Sequence, residues 1–451
     1  VNGTWAKLRR SFVSPPLSNP IFAACALACV ACLMSATAVA DPSLNLPTSP
    51  HQSAEVAARA PSQNGANVKV NAQGLHVASS DGRHNLSFTP FIQFAHHQML
   101  NHSPDGMRSG TRIEHFRPIL VGQYNQILDY IFILQITADN VSLLYGFVNL
   151  HPHEKLQIRA GLQNPIFAIE MRQFQQAMLF INRSMDSSIG VICDLGLALD
   201  FRPIDKLQLE LGVYNGTDDN HVFSGIQEKS VSGEIGARYY ALGRDAPTQA
   251  QPGFLTLGAA AVLRRSHATA ESPHLTPQVS PGQHAYMNYQ DDVFADGLTL
   301  ATTAFLHGGY QGFYVEGKFT TSDQQVQHDG GRGRIVKHAW FASAAYTIGG
   351  TTGWTGTTVR RGVFDGGLGA LQFKIRGHGL IARSRGGDLF ESGSDAAHTL
   401  GARGLSTGVS WFIADGLRIQ ADYNYTRFHA DQRTLSHQQE HLLSVGLTAG
   451  Y

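Results

Sequence analysis

From residue 74 to residue 451 the chain is a succession of short runs in which apolar and polar side chains alternate, and this period of two limits its folds more than anything else. Leu417, Ile419, Ala421, Tyr423 and Tyr425 fall on one face of such a run, and Arg418, Gln420, Asp422 and Asn424 on the other. Leu156, Ile158, Ala160 and Leu162 alternate with Gln157, Arg159, Gly161 and Gln163; Leu207, Leu209, Leu211 and Val213 alternate with Gln208, Glu210 and Gly212. Successive side chains of a β-strand point to opposite faces, so each run is expected to be a strand between two unlike environments. A soluble sandwich alternates as well. Here the polar face carries large charged groups and the apolar face ends in aromatics, Tyr423 and Tyr425 or Phe313 and Phe319, as a lipid-facing band with interfacial girdles requires. Beyond residue 40 no uninterrupted apolar run reaches the roughly 20 residues of a spanning helix. The expected fold class is therefore all-β, a transmembrane antiparallel β-barrel.

The breaks between runs come in two lengths. His151 to Lys155, Pro203 to Lys206 and Ala414 to Gly416 are short; Asp218 to Ser230, His267 to Asp292, Ser322 to Lys337 and Ser384 to Ala402 are long and polar. Short turns on one rim and long loops on the other are the arrangement of outer-membrane barrels. Counting runs gives about 16 strands, enough to enclose an aqueous lumen. The last run, Leu443, Val445, Leu447, Ala449 and Tyr451, alternates up to a terminal aromatic, which resembles the signal read by the barrel-insertion machinery.

Composition agrees. Charged residues are 15% of the chain, below the roughly 25% usual for soluble domains, and 47 of 451 residues are Gly, which suits a protein of many turns. Basic and acidic residues balance at 34 each, so no net field favours nucleic acid, and charge selection has to come from local placement. At the N-terminus, Lys7, Arg9 and Arg10 precede the apolar stretch Ile21 to Met34 and the small-residue site Ala38-Val39-Ala40. This reads as an export signal over residues 1–40 with cleavage after Ala40. Residues 41–73, rich in Pro, Ser, Ala, Asn and Gln, are expected to be a flexible segment ahead of a barrel spanning 74–451. Cys25, Cys29 and Cys32 lie inside the signal, leaving Cys193 alone in the processed chain and no intrachain disulfide.

Phe116 to Asn125, Tyr130 to Asp139, Leu143 to Leu150 and Leu156 to Gln163 lead into Gly161-Leu162-Gln163-Asn164-Pro165-Ile166-Phe167, with Ile169-Glu170 next and Phe180-Ile181-Asn182-Arg183-Ser184 further on. Together with Leu211 to Gly216, Phe313 to Thr321 and Gly408 to Phe412, these segments resemble the phosphate-selective porins O and P, whose motifs run Gly-Gln-Phe-Lys-x-Pro-Phe and Phe-Met-Glu-Arg-Ser. The resemblance spans about residues 74–451 and is strongest between 116 and 216. It implies a 16-stranded trimeric barrel of the outer membrane, with inward-folded loops lining a constriction where basic residues guide anions. Asn164 stands where the family usually has Lys, and Asn182 where it usually has Glu; both departures bear on phosphate selectivity rather than on the barrel.

Anion selection needs several positive groups converging on a narrow passage. Alternation places Arg159, Arg238, Lys318, Lys374, Arg376 and Arg418 on the lumen side, against Glu210, Glu234, Glu316 and Asp422 on the same faces. A mixed polar lumen that pairs its own charges is the competing reading. Asn164 to Ser188 is the expected constriction loop, with Arg172 and Arg183 as its basic residues and barrel-wall salt bridges as their alternative role. His151, His153 and Glu154 lack a full metal-ligand set and His96-His97 reads as strand, so no metal is expected. Gly404-Leu405-Ser406-Thr407-Gly408 matches a nucleophile pattern, but Val409 to Phe412, directly after it, read as another strand rather than a helix. Phe294, Phe305, Tyr310, Trp340, Trp411 and Tyr425 are candidate girdle aromatics, and Trp340, Ala342, Ala344 and Tyr346 form a small-residue face suited to lipid or to a subunit contact.

These features point to passive diffusion of small hydrophilic solutes, anions such as phosphate among them, with no cofactor and no catalytic step. The expected partners are outer-membrane lipid, the solutes and two further copies of the chain, and not nucleic acid. The alternatives are a barrel enzyme of lipase or protease type with its site at the rim, and a substrate-specific sugar or polyphosphate pore marked by aromatic tracks along the lumen.

Overall fold

The computed structural model describes residues 66–71, 74–101, 109–137, 140–189, 193–216, 231–243, 253–392, 395–397, 399–430 and 439–450. A hairpin comes first, β1 (Asn67–Asn71) and β2 (Gly74–Ala78). The first barrel strands are β3 (Asn85–Met99), β4 (Gly110–Tyr124), β5 (Leu128–Ile136), β6 (Val141–His153) and β7 (Leu156–Gln163). Then come β8 (Asp194–Ile204), β9 (Leu207–Tyr214), β10 (Val231–Leu242) and β11 (Gly253–His267). Between β11 and β14 (Phe294–Tyr310) lie the short β12 (Gln278–Val279) and β13 (Ala285–Tyr289). β15 (Phe313–His328) and β16 (Gly331–Ile348) follow, then a small hairpin of β17 (Gly350–Gly353) and β18 (Gly356–Val359). The chain closes with β19 (Ala370–Arg385), β20 (Phe390–Ser392), β21 (Asp395–Ala397), β22 (Thr399–Ala414), β23 (Leu417–Ala430) and β24 (Gln439–Ala449).

Each of the sixteen long strands pairs antiparallel with its neighbour, and β24 returns to β3, Leu442 opposite Met99 and Ala449 opposite Ile92, so the barrel is closed. β2 continues along the free lower edge of β3, from Leu75 opposite Phe88 to Ala78 opposite Asn85. Residues 67–71, read from sequence as part of a flexible segment, form β1; residues 1–65, which hold the expected export signal, lie outside the described residues.

Burial is inverted relative to a soluble protein. On β23 Ile419 is 40% exposed, while Arg418, Gln420 and Asp422 are 3%, 1% and 1% exposed. The apolar face points out to where lipid lies, and the polar face points into a lumen that the chain itself fills. Tyr310, Phe313, Phe319, Trp340, Tyr346 and Trp411 all face outward. Phe305 does not: at 6% exposure it faces the lumen beside His307, the two rings parallel within 3°, which corrects its expected place in a girdle. Leu162 is a second departure. Gly161 takes φ +130, the alternation breaks there, and Leu162 and Gln163 are both buried. Ser322 to Lys337, expected as a long loop, is mostly strand: β15 and β16 run on to a tight turn at 329–330. Above the lipid the outward face of a strand meets polar surroundings, so polarity there does not mark a loop.

The connections 124–128, 153–156, 204–207, 310–313 and 414–417 are short and share one rim, the periplasmic one in such barrels, with longer ones such as 348–370; the remaining connections, most of the long ones among them, share the other. Two of the latter fold inward. β12 and β13 enter the barrel mouth, where Tyr286, Met287 and Val293 join Leu389 and Phe390 in an apolar cluster against inward-facing Val326, Ile335, Leu380, Leu400 and Phe428. From the short-turn side the β17–β18 hairpin turns in, and Trp354 stacks on His307 at 4.4 Å.

Candidate functional site

The second inward fold is residues 164–189, between β7 and β8. A side chain at Gly161 would place its Cβ 2.7 Å from the Phe147 Cα, in a backbone conformation only glycine adopts readily, so this glycine is required where the chain leaves the wall. The segment then forms a short helix, α1 (Ile169–Arg172), and 3-10 turns at Gln175–Ala177 and Met185–Ser188.

Its first half is fixed to one wall. Arg172 gives both terminal nitrogens of its guanidinium to Glu210 on β9, and its Nε to the carbonyl oxygens of Asn164 at 3.0 Å and Pro165 at 3.1 Å. The Phe167 N–H donates to Glu234 on β10, and Asn164 Nδ2 donates to the Met171 carbonyl at 2.5 Å and to the Tyr145 hydroxyl. Cys193 closes the clasp at the far end: its thiol donates to Asn164 Oδ1 at 2.8 Å and to the Leu144 carbonyl at 3.1 Å.

The second half is gripped by strands further round the ring, β15, β19 and β23, the last of them eight strands from β9. Arg418 donates to the Met178 carbonyl at 2.8 Å, Lys374 to that of Leu179, and Arg376 to that of Asn182 at 2.9 Å. Asp422 accepts the Ile181 N–H at 2.8 Å, and His378 Nδ1 accepts that of Met185 at 3.2 Å. Lys318 pairs with Asp186 at 2.7 Å. The segment thus spans the lumen from wall to wall.

Arg159, Arg238, Lys318, Lys374, Arg376 and Arg418 all lie on lumen-facing positions, but four of them are committed to the crossing segment. Lys318 and Lys374 each meet a carboxylate, Arg376 lies 4.0 Å from Glu170, and Arg418 serves a backbone carbonyl. Arg159 lies over the Phe147 ring. Arg172 is likewise neutralised by Glu210. Arg183, like Arg159, meets only uncharged oxygens among the described residues. It donates to the Glu170 carbonyl at 2.5 Å and to Gln175 Oε1 at 3.3 Å. Within electrostatic reach is Arg117 of β4, which bonds Gln135 Oε1 at 2.6 Å and His115 Nδ1 at 3.1 Å. Among the described residues neither guanidinium has a carboxylate in ion-pair distance. Sequence reading missed Arg117, because a bulge at Glu114 breaks the alternation of β4 just before it.

Beside Arg183 a cavity of about 110 Å3 opens between the segment and β12, lined by Asn182, Ser184, Ser187, Ser188, Ser280 and Gln283. The side-chain nitrogen of Asn182 is buried without a hydrogen-bond partner among the described residues.

The remaining candidates are structural. His151 pairs with Asp129 at 2.6 Å and His153 Nδ1 accepts the Lys155 N–H at 3.1 Å. Ser406 lies in the middle of β22, where its hydroxyl donates to Asn424 at 2.7 Å, so the nucleophile pattern does not form a strand–turn–helix elbow. Phe305 and Trp354 each stack on His307 in the lumen.

Residues 90–448 match the family model described as phosphate-selective porin O and P. Similar solved structures include the outer membrane channel DcaP of Acinetobacter baumannii, at 8% identity and a TM-score of 0.50, covering 83% of this chain and 99% of that one. OprB of Pseudomonas putida matches at 7% identity and 0.50, covering 81% and 94%. A loop L8 deletion mutant of OmpT, an outer membrane protein of Vibrio cholerae, matches at 10% and 0.50, covering 82% and 100%. At such identities the likeness is one of fold. No curated protein sequence matches the chain.

Proposed function

Because the chain belongs to the phosphate-selective porin O and P family and is a porin of the outer membrane, we propose that it passes small hydrophilic anions, phosphate among them, past Arg183 and Arg117. The observation that carries this reading is the contrast in pairing. The buried cations of β19 and β23 are spent on carboxylates and on the crossing segment, whereas Arg183 and Arg117 have no carboxylate partner among the described residues and Arg183 lines a cavity rich in serine and amide side chains. Two uncompensated guanidiniums in a narrow, poorly screened passage raise the local anion concentration and repel cations.

Solute crosses by diffusion alone, and the residues bind and orient it without a chemical step. Asn182, with its unpartnered amide nitrogen, supplies a neutral donor beside Arg183. The same reading takes the barrel as a homotrimer. It is supported by the small residues Gly317, Ala342 and Gly377, which lie directly side by side across three strands. It also takes residues 1–40 as a signal removed after Ala40.

Reversal potentials of the purified protein in planar bilayers under a potassium chloride gradient test the proposal. The wild type should prefer chloride, and Arg183→Glu should lower that preference several-fold. Equal selectivity in the two proteins would remove Arg183 from the permeation path.

A further inference from the structure

The outward faces of β16, β19, β22 and β23 are apolar over most of their length and then change abruptly at the long-loop end. Going up β23, Ile419, Ala421, Tyr423 and Tyr425 give way to Arg427 and His429; on β22, Val409, Thr407 and Leu405 give way to Arg403. On β19 Ile381 is followed by Arg383 and Arg385, and on β16 Trp340 by His338 and Arg334. Arg334, Arg383, Arg385, Arg403 and Arg427 are all exposed.

Register makes the arrangement costly. Arg403 lies directly opposite Arg427, and Arg334 directly opposite Arg385. Like charges on directly paired strand positions are destabilising, because their side chains leave the sheet about 5 Å apart. Arg334 has Asp323 as a partner at 2.5 Å. Among the described residues Arg383, Arg385, Arg403 and Arg427 have no carboxylate in ion-pair distance. The site also has a built floor: the Trp340 ring lies over Gly377 and Gly379, and the Arg403 stem passes beside Gly379.

We infer that this patch binds the phosphate groups of a phosphorylated glycolipid of the outer leaflet. The position is where the apolar band ends and headgroups begin, and charge complementarity asks for a dianionic or bis-phosphorylated partner that a guanidinium fork can grip. Trp340 and the glycine floor beneath it suit the sugar and upper acyl region, since amphipathic rings sit at the headgroup level. The inference concerns the lipid face and stands apart from the permeation reading.

The test uses protein extracted from outer membranes in mild detergent and titrated, by native mass spectrometry, with bis-phosphorylated lipid A and with its dephosphorylated form. The wild type should bind the phosphorylated lipid, and the Arg403→Gln/Arg427→Gln double variant should bind it about tenfold or more weakly. The dephosphorylated lipid should bind both proteins equally and weakly. Unaltered conductance in the double variant would show an intact barrel. Equal binding of phosphorylated lipid by wild type and variant would overturn the inference, as would wild-type binding that ignores the phosphates. Dissociation of the variant's oligomer with lipid binding unchanged would also overturn it and make the patch a contact between copies.

Discussion

Lys374 on β19 and Asp422 on β23 pair at 2.8 Å, both out of reach of solvent, and together they hold the main chain of the crossing segment: Lys374 takes the Leu179 carbonyl and Asp422 the Ile181 N–H. Removing one charge strands the other in the interior, which costs about 3–5 kcal/mol. Asp422→Asn should therefore free the segment's second half from the wall. Single-channel recordings should show larger and noisier openings than in the wild type, and unfolding on heated gels should start at lower temperature. Wild-type conductance in a stably folded variant would show that the pair does not hold the constriction.

Gly408 on β22 leaves the space in which that pair forms. A Cβ there would lie 2.7 Å from the Ala421 carbonyl oxygen and 2.9 Å from the Lys374 Cε, and it would press on the Asp422 carboxylate. Backbone on one side and a buried pair on the other cannot both yield, so Gly408→Ala should destabilise by about 1–3 kcal/mol. It should also reproduce the channel noise of Asp422→Asn while leaving every charge in place. Denaturant midpoints alongside conductance traces separate this steric route from the electrostatic one.

The barrel was legible because lipid and lumen impose opposite demands on neighbouring residues, and Leu417 to Tyr425 records that contrast residue by residue. It failed where the contrast fails. Phe305 looks like a girdle ring, yet the lumen near the short-turn rim is itself packed with rings, and parity alone does not say which apolar side a residue faces. Ser322 to Lys337 looks like a loop because strands above the lipid lose their apolar face. Residues 164–188 stood out as a break in the alternation, but nothing local reveals that Ile181 meets Asp422, 241 residues away. Those contacts, and not the count of lumen cations, decide which charges stay free.

Arg172 and Arg183, equivalent as basic residues of one loop, should behave differently. The Arg172 guanidinium is matched by the Glu210 carboxylate, so the pair adds no net charge to the passage. The Arg172→Gln/Glu210→Gln double variant removes both charges together and should keep the wild-type reversal potential to within a few millivolts, whereas Arg183→Gln alone should shift it toward the cation side. Thermal unfolding should show the converse order, with the double variant the less stable because one buried, bidentate contact is lost. A double variant that loses anion preference as far as Arg183→Gln does would place Arg172 in the permeation path.

Cys193 reports on the clasp at the segment's two ends. Burial pushes its thiol up from the ordinary range to about 12, and the thiol is held between Asn164 Oδ1 and the Leu144 carbonyl. Only the thiolate attacks a maleimide, so near pH 8 a rise from 9 to 12 lowers the reactive fraction about a thousandfold relative to an unperturbed thiol. Lack of access to the buried sulfur slows the reaction further. Folded protein should thus label very slowly at pH 8, and protein in guanidinium should label at once. Asn164→Ala takes away one of the two acceptors and loosens the entry of the segment, and it should raise the folded-state rate well above that of the wild type without changing the rate in denaturant. Rapid labelling of the folded wild type would mean that the ends of the crossing segment part readily, and the wall contacts from Met178 to Asp186 would then have to hold it in the lumen by themselves.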